Sequence, residues 1–243
     1  MPKPINLPPI NFTCLSEAQR RPKTLSTKDH LSANFDNLCK QIREQPLYEA
    51  IAHDREAPNY RTMCDSGVYA KHNFFSTTSF GTGVFIRADR VENRCLGEYA
   101  GDKFHISVNP ADVGKAFDML SGLLFSDKSP IDSWKVTDMQ KAPLDSRVSV
   151  GAQLTLYVKP VAENSHYTGA ELSHIKRFIE QIEQTLTDQK IPFGTQPDSD
   201  VRPDQWQYTS YRNEKSSDRY GSEAQRQKLD AEPFYRLITD GVG

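Results

Sequence analysis

The sequence is short of the residues that staple small secreted domains. Its four cysteines, Cys14, Cys39, Cys64 and Cys95, are scattered, with no Cys-x-x-Cys pair and no partnering histidines at zinc spacing. That argues against a disulfide framework and a structural metal site, and for a reducing compartment. Neither sign of charge is in excess: 30 Lys and Arg against 32 Asp and Glu leave a formal net charge of -2. The bulk basic footprint of a nucleic-acid binder is therefore missing, although a local cationic pocket remains open. No apolar run approaches a membrane span, and residues 1–10 lack the continuous apolar stretch of a general secretory signal. A glycine-rich phosphate loop is absent as well. Gly81-Thr-Gly83 lacks the rest of any dinucleotide or P-loop signature and reads as a turn.

What is present begins with proline. Pro2, Pro4, Pro8, Pro9 and Pro22, among Ser, Thr and basic residues, mark 1–28 as an extended, flexible arm, leaving 29–243 as one domain long enough to bury a core. Leu31, Phe35, Leu38 and Ile42 place a helix from about Thr27 to Pro46. Residues 47–80 show no clear periodicity, and Val84-Phe-Ile86 reads as a short strand.

From Tyr99 the pattern sharpens. Phe104, Ile106 and Val108 alternate with Lys103, His105 and Ser107, so a strand would bury the apolar trio and set Lys103 and His105 side by side on its other face. Asn109, Pro110 and Asp112 suit the start of a helix whose stripe is Val113, Phe117, Leu120 and Leu124. Trp134 to Thr137 reads as a strand. Arg147 to Lys159 is the best alternating stretch, with Val148, Val150, Ala152, Leu154, Leu156 and Val158 on one face and Arg147, Gln153, Tyr157 and Lys159 on the other. Thr168 and Glu171 form a capping box ahead of Leu172, Ile175, Ile179, Ile182 and Leu186. Residues 195–221 read as polar loop, followed by a short helix and Glu232 to Leu237. The class is α+β: one domain with a mixed or antiparallel twisted sheet flanked by helices, behind a flexible N-terminal arm.

Strand faces opposite the core thus carry Lys103, His105, Lys135, Arg147, Tyr157 and Lys159. A lone histidine on a strand is usually a hydrogen-bonded structural residue, and a lone cation a solvated edge. Together they would make an anion pocket, but only if tertiary structure gathers them, which periodicity does not show.

Several segments resemble one family closely: Gly101-Asp-Lys-Phe-His-Ile-Ser-Val108, Ser121-Gly-Leu-Leu-Phe-Ser126, Trp134-Lys-Val-Thr-Asp-Met139, Arg147-Val-Ser-Val-Gly-Ala-Gln153, Thr155-Leu-Tyr-Val-Lys-Pro160, Ser210-Tyr-Arg-Asn-Glu214 and Glu232-Pro-Phe-Tyr-Arg-Leu237. They are similar to the phosphothreonine lyase effectors of the OspF/SpvC family, in order and at family spacing over most of Tyr99 to Leu237. Residues 13–80 match loosely. The resemblance implies a lyase that inactivates host MAP kinases irreversibly by β-elimination at phosphothreonine in a doubly phosphorylated Thr-x-Tyr loop, leaving dehydrobutyrine. It implies a virulence effector, secreted by a type III system into the host cytoplasm or nucleus, that suppresses immune signalling. It further implies Lys135 as general base and His105 as general acid, with no metal and no cofactor. Lys103, Arg147, Tyr157 and Arg212 fall at phosphate-binding or supporting positions, Arg219 and Lys159 toward a second phosphate, and Phe85 and Tyr99 at pocket-lining ones. Ser133 departs from the pattern, standing where the family carries lysine, which weakens the local positive field. Lys3-x-Ile5-x-Leu7 looks like a kinase-docking segment: a basic residue for an acidic patch and two apolar anchors for a groove. A monomer is expected, with neither nucleic acid nor membrane as partner.

These residue types suit the reaction. The α-hydrogen is a weak acid, so its base must be stronger than a carboxylate, yet an ordinary lysine at pKa ~10.4 is protonated at neutral pH. Burial and neighbouring cations, here Lys103 and Arg147, would depress it. A protonated histidine assists the leaving oxygen, and arginines grip the remaining phosphate oxygens. One geometric problem stands out: Arg147 and Tyr157 would lie ~33 Å apart on a continuous strand, so sharing a site demands a bend, for which Gly151 is the natural place. Two other readings compete. A non-catalytic phosphothreonine reader that sequesters kinase needs the arginines but neither Lys135 nor His105. A metal-free phosphatase would need a Cys-x5-Arg loop, and none surrounds any of the four cysteines.

Overall fold

The short β-prone segments assemble into a single antiparallel sheet. The computed structural model describes residues 25–45, 50–67, 69–79 and 83–240. Lys3, Ile5, Leu7 and nearly all of the expected arm lie outside the described residues, as do Gly81 and Thr82. Seven strands are described: β1 (Tyr69–His72), β2 (Phe75–Ser79), β3 (Phe85–Arg90), β4 (Asp102–Ile106), β5 (Ser133–Thr137), β6 (Leu154–Tyr157) and β7 (Thr209–Asn213). Their order is β1-β2-β3-β5-β6-β4-β7, and every pairing is antiparallel. The helices are α1 (Thr27–Ala33), α2 (Phe35–Glu44), α3 (Tyr60–Asp65), α4 (Val113–Leu124), α5 (Arg147–Val150), α6 (Gly169–Asp188), α7 (Glu223–Asp230) and α8 (Pro233–Thr239). This is the α+β domain that the alternating and helical periods called for. No described helix is long and apolar enough to cross a membrane.

Alternation assigns the two faces of the sheet. Phe104, Ile106, Trp134, Val136, Leu154, Leu156 and Tyr211 are fully buried and point toward the helical layer. Trp134 meets Phe117 of α4, ring centroids 5.9 Å apart, while Phe104 and Tyr211 meet Phe234 of α8 at 6.1 and 6.0 Å. The expected stripe of α6 is buried throughout, and its capping box forms, with the Thr168 hydroxyl accepting from Glu171 N and Glu171 accepting from Thr168 N. That helix ties the layer together, so the strands beneath it are held on a rigid platform.

Several elements differ from their expected form. The single helix from Thr27 is two, broken at Asn34, whose backbone N–H and side-chain amide both donate to the His30 carbonyl and end α1 there. Residues 47–80, unreadable as periodicity, supply α3 and the hairpin β1–β2. Asn109 caps a short 3-10 turn, Pro110–Asp112, from which α4 continues. The supposed loop 195–221 contains β7, every residue of it buried. Thr209-Ser-Tyr-Arg-Asn213 looks polar in sequence because one of its faces serves a polar site rather than the core.

The alternating stretch 147–159 is not one strand, and it breaks at Gly151, where a shared site for Arg147 and Tyr157 demanded a bend. Arg147–Val150 is a single helical turn, Gly151 is extended, Ala152 has φ 49°, and only Leu154–Tyr157 pairs in the sheet. Side chains replace the ladder here. Ser107 Oγ accepts from Ala152 N at 2.8 Å, and the buried Gln153 amide bonds both backbone groups of Val108 and the Ser149 carbonyl. The junction between the helical turn and β6 takes a glycine at 151 because a Cβ there would lie 2.1 Å from the Thr195 carbonyl oxygen. Val148 and Val150 are consequently half-buried instead of joining the core.

Candidate active site

The register of the sheet gathers the cations. Arg87 pairs with Lys135, Lys135 with Thr155, Thr155 with His105, and His105 with Ser210. One row of side chains therefore runs across β3, β5, β6, β4 and β7 on the face away from the helices. The adjacent row on the same face reads Asp89, Ser133, Tyr157, Lys103 and Arg212. At ~4.8 Å per strand, Lys135 and His105 stand roughly 10 Å apart at the backbone, with only the short Thr155 between them. All three residues line one cavity.

The helical turn of α5 closes one side. Because the chain folds back at Gly151, Arg147 reaches the same cavity as Tyr157, which resolves the distance problem. The cavity has a volume of about 240 Å³, and its lining includes Phe85, Lys103, His105, Lys135, Arg147, Tyr157, Arg212 and Arg219. Two of the expected residues do not line it. Tyr99 faces a larger neighbouring cleft of about 880 Å³ and stands behind the site wall, its ring edge-on to Tyr157 at 5.8 Å and its hydroxyl donating to the Gly101 carbonyl and to Glu214. Lys159 lies in a separate cavity with Arg94, Lys128 and His174. It would share a face with Tyr157 on a longer strand, but β6 ends at Tyr157 and the chain departs toward Pro160.

Burial and neighbours set the charges. The Lys135 ammonium sits 3.7 Å from the centre of the Phe85 ring. Burial first, then the positive fields of Arg87, Lys103 and Arg147, depress its pKa to about 8, with Glu214 opposing them. Arg87 thus precedes both cations that the sequence offered for this purpose. Lys103 is also lowered by burial, and Glu214, 3.2 Å from its Nζ, works against the shift.

His105 is fully enclosed except toward the cavity. Its Nδ1 donates to Asp200 Oδ2 at 2.6 Å, which leaves Nε2 as the nitrogen free to serve a substrate. Burial lowers the imidazole pKa, and Asp200 pulls it back up. Asp200 has no exposed side-chain surface, and burial alone would raise its carboxyl. His105, Arg147 and Ser199 outweigh that and hold it below the usual range. The same carboxylate accepts from Arg147 at 3.3 Å, from Ser199 Oγ at 2.8 Å and from Ser210 Oγ at 2.8 Å. It therefore couples the histidine to the arginine. Arg212 is oriented in turn by Ser217, whose Oγ and carbonyl accept from its guanidinium at 3.1 and 3.2 Å.

An amine near neutrality, an oriented imidazole and three buried or half-buried cations face one small cavity, which suits acid–base chemistry on an anionic ester. The family model for OspF/SpvC matches residues 5–240. The chain belongs to the OspF/SpvC family. It is 46% identical to the MAPK phosphothreonine lyase of Salmonella typhimurium over 239 residues, 97% of this chain and 96% of that one. It is equally identical to phosphothreonine lyase OspF of Shigella flexneri over 219 residues, 90% of this chain and 91% of that one. Among solved structures, the VirA (SpvC) phosphothreonine lyase effector of Chromobacterium violaceum superposes with a TM-score of 0.85 at 48% identity, covering 87% of this chain and 98% of that one. The resemblance read from the motifs, strongest after Tyr99, thus extends over nearly the whole OspF/SpvC fold.

Three residues around the cavity were not singled out from the sequence. Arg87 was within reach, since it lies two positions after Phe85 and must share its face on a strand. Glu214 stood inside a family-like segment but carried no role. Asp200 sits in a polar loop with nothing in its spacing to distinguish it. Ser133 donates to Asp89 Oδ1 at 2.6 Å, so the hydroxyl at that position is tied to a carboxylate on β3.

Proposed function

We propose that this OspF/SpvC member is a phosphothreonine lyase in which Lys135 is the base and His105 the acid. The observation that carries the reading is the shared row: amine and imidazole face each other across one strand, with Lys103, Arg147 and Arg212 around the gap. Neutral Lys135 Nζ takes the α-proton of the phosphothreonine. The Cα–H electron pair becomes the Cα=Cβ double bond as the Cβ–O bond breaks. His105 Nε2 gives its proton to the departing bridging oxygen, and phosphate leaves. Arg147, Arg212 and Lys103 hold the phosphate oxygens throughout, and Tyr157 and Phe85 wall the site against water. Dehydrobutyrine remains, and with its oxygen gone the residue cannot be rephosphorylated.

MAP kinases are the substrates this reading assigns, supported by the name that the Salmonella relatives carry. A doubly phosphorylated Thr-x-Tyr loop brings roughly -3 to -4 charge, which Arg219 at the cavity edge would help to meet. As an effector the chain would be secreted by a type III system into the host cell, with residues 1–28 as a docking arm and 29–243 as the catalytic domain. Incubation with a phosphothreonine peptide tests the chemistry: the lyase product is one water lighter than the threonine peptide. Recovery of threonine, or of unchanged phosphopeptide, would overturn it. The arm has its own test. Replacing Ile5 and Leu7 with alanine is expected to lower kcat/KM on intact phosphorylated kinase by about tenfold, in line with a lost effective concentration, and to spare a short phosphopeptide. Equal losses on both substrates would remove the docking role.

The ionisation states give a pH signature. Productive free enzyme has Lys135 neutral and His105 protonated, and this fraction falls with rising pH above the higher of the two pKa values. With Lys135 at about 8, the basic limb of kcat/KM is expected near pH 8 rather than near an ordinary lysine value. Arg87→Gln removes the largest charge contribution to that depression. It should move the limb upward by roughly a few tenths of a pH unit, since the arginine is solvent-exposed and screened. A limb that stays put, or moves down, would remove Arg87 from the account.

A further inference from the structure

Among the groups that line the phosphate cavity, one carries the wrong sign. Glu214 is a carboxylate at the mouth of a site built for an anion, and its Oε1 lies 3.2 Å from Lys103 Nζ. We propose that Glu214 is an internal counterion of the phosphate site: it holds Lys103 in the free enzyme, gives way to the substrate phosphate, and returns to Lys103 as the product phosphate leaves. This inference rests on the lyase reading, which makes inorganic phosphate a product that must be expelled from a cluster of cations.

The local structure separates a fixed backbone from a movable side chain. Glu214 follows the last residue of β7, and its N–H donates to the Gly101 carbonyl at 2.7 Å. Asn213 Oδ1 accepts from the N–H groups of Lys215 and Ser216 at 3.0 Å each, which pins the turn. The side chain, by contrast, is 47% exposed, and apart from Lys103 its hydrogen-bonding partner is the Tyr99 hydroxyl at 3.3 Å. Swinging into solvent breaks two contacts and leaves the carboxylate hydrated. Asp200, the other carboxylate of the site, has no exposed side-chain surface and accepts from four groups, so it stays.

Lys103 needs such a partner. Its side chain is 9% exposed, and an ammonium so enclosed without a counterion is strongly disfavoured. A phosphate dianion gripped by Lys103 and its register partner Arg212 would sit within a few ångströms of the Glu214 carboxylate, and the two anions compete for the same donor. The dianion of a bound phosphopeptide, anchored at other points, displaces Glu214. Free phosphate, with no such anchors, is displaced by it.

Phosphate binding by the full chain, measured calorimetrically, tests this. Glu214→Gln is expected to bind inorganic phosphate on the order of tenfold more tightly than the wild type, with product inhibition strengthened by the same factor. Glu214→Ala, which also removes the Tyr99 bond, should change in the same direction. A merely structural residue would weaken ligand binding when lost, so tightening is the diagnostic result. If the wild type converts phosphothreonine peptide to dehydrobutyrine while both variants bind phosphate no tighter, the counterion role is wrong and the lyase reading stands. If the wild type leaves the peptide unchanged, the lyase reading fails, and with it the product that Glu214 is proposed to expel.

Discussion

Lys135→Arg is expected to lose elimination activity almost completely, by about 10³-fold or more, and to lose as much as Lys135→Ala. The arginine keeps a positive charge beside the phosphate but holds its protons above pH 12, so it cannot collect the α-hydrogen. The comparison separates two roles that alanine alone confuses. If Lys135 only attracted phosphate, arginine would restore much of the rate. Phosphopeptide affinity should change little in the arginine variant, so the loss falls on kcat. Neither substitution is expected to unfold the chain, because the lysine is half-buried and its charge is already disfavoured by burial. Mass spectrometry of the peptide and a melting curve settle both points, and an active arginine variant would end the general-base assignment.

Asp200→Asn is expected to reduce kcat by about 10²- to 10⁴-fold, although Asp200 faces the histidine and not the cavity. Each carboxylate oxygen accepts two bonds: Oδ2 from His105 Nδ1 and Ser210, Oδ1 from Arg147 and Ser199. An amide offers one oxygen. If that oxygen faces His105, its NH2 group meets the Arg147 guanidinium, donor against donor. If it faces Arg147, the imidazole loses the acceptor for Nδ1–H and adopts the other tautomer. Either arrangement also removes the negative charge that favours the imidazolium. A stability loss of about 1–3 kcal/mol should accompany the change, since a buried donor is left without a partner. The pH profile separates positioning from damage. Losing the carboxylate should lower the His105 pKa further and move the acidic limb of kcat/KM to lower pH, whereas general loosening would scale the whole profile. A variant with full kcat would remove Asp200 from the orientation of the acid.

On the proposed mechanism the two variants probe the base and the acid of one elimination, and they rest on different sources of knowledge. The faces of Lys135 and His105 were legible in the sequence because each lies in a short strand, Trp134 to Thr137 and Phe104 to Val108, while their roles came only from the family resemblance. In such strands period two assigns each side chain to a face without reference to any other strand. The same rule makes Arg87 predictable once Phe85 is placed. The helical stripes of α4 and α6, with the Thr168–Glu171 capping box, were equally legible, because helix signals act within a few residues. The alternation from Arg147 to Lys159 did not by itself reveal the break in the strand, which only the need for Arg147 and Tyr157 to share a site pointed to at Gly151, and this has the complementary reason. The alternation is real, but Ser107 and Gln153 satisfy the backbone in place of a neighbouring strand, and Thr195 leaves no room for a Cβ at Gly151. Ser107, Thr195 and the Val108 backbone that Gln153 bonds all lie outside that stretch.

By itself, then, the sequence settled which side chains share a face within each strand, where the long helices start, and, through its motifs, the OspF/SpvC family. Tertiary structure decided which faces meet. The register across β5, β6, β4 and β7 put the amine and the imidazole in one row, the turn at Gly151 brought Arg147 into their cavity and left Lys159 outside, and Asp200 reached His105 from 95 positions away in the chain. The physical reason is range. Alternation and capping are local interactions, whereas pairing register, the bend at Gly151 and the carboxylate partner of His105 depend on contacts between residues distant in the chain.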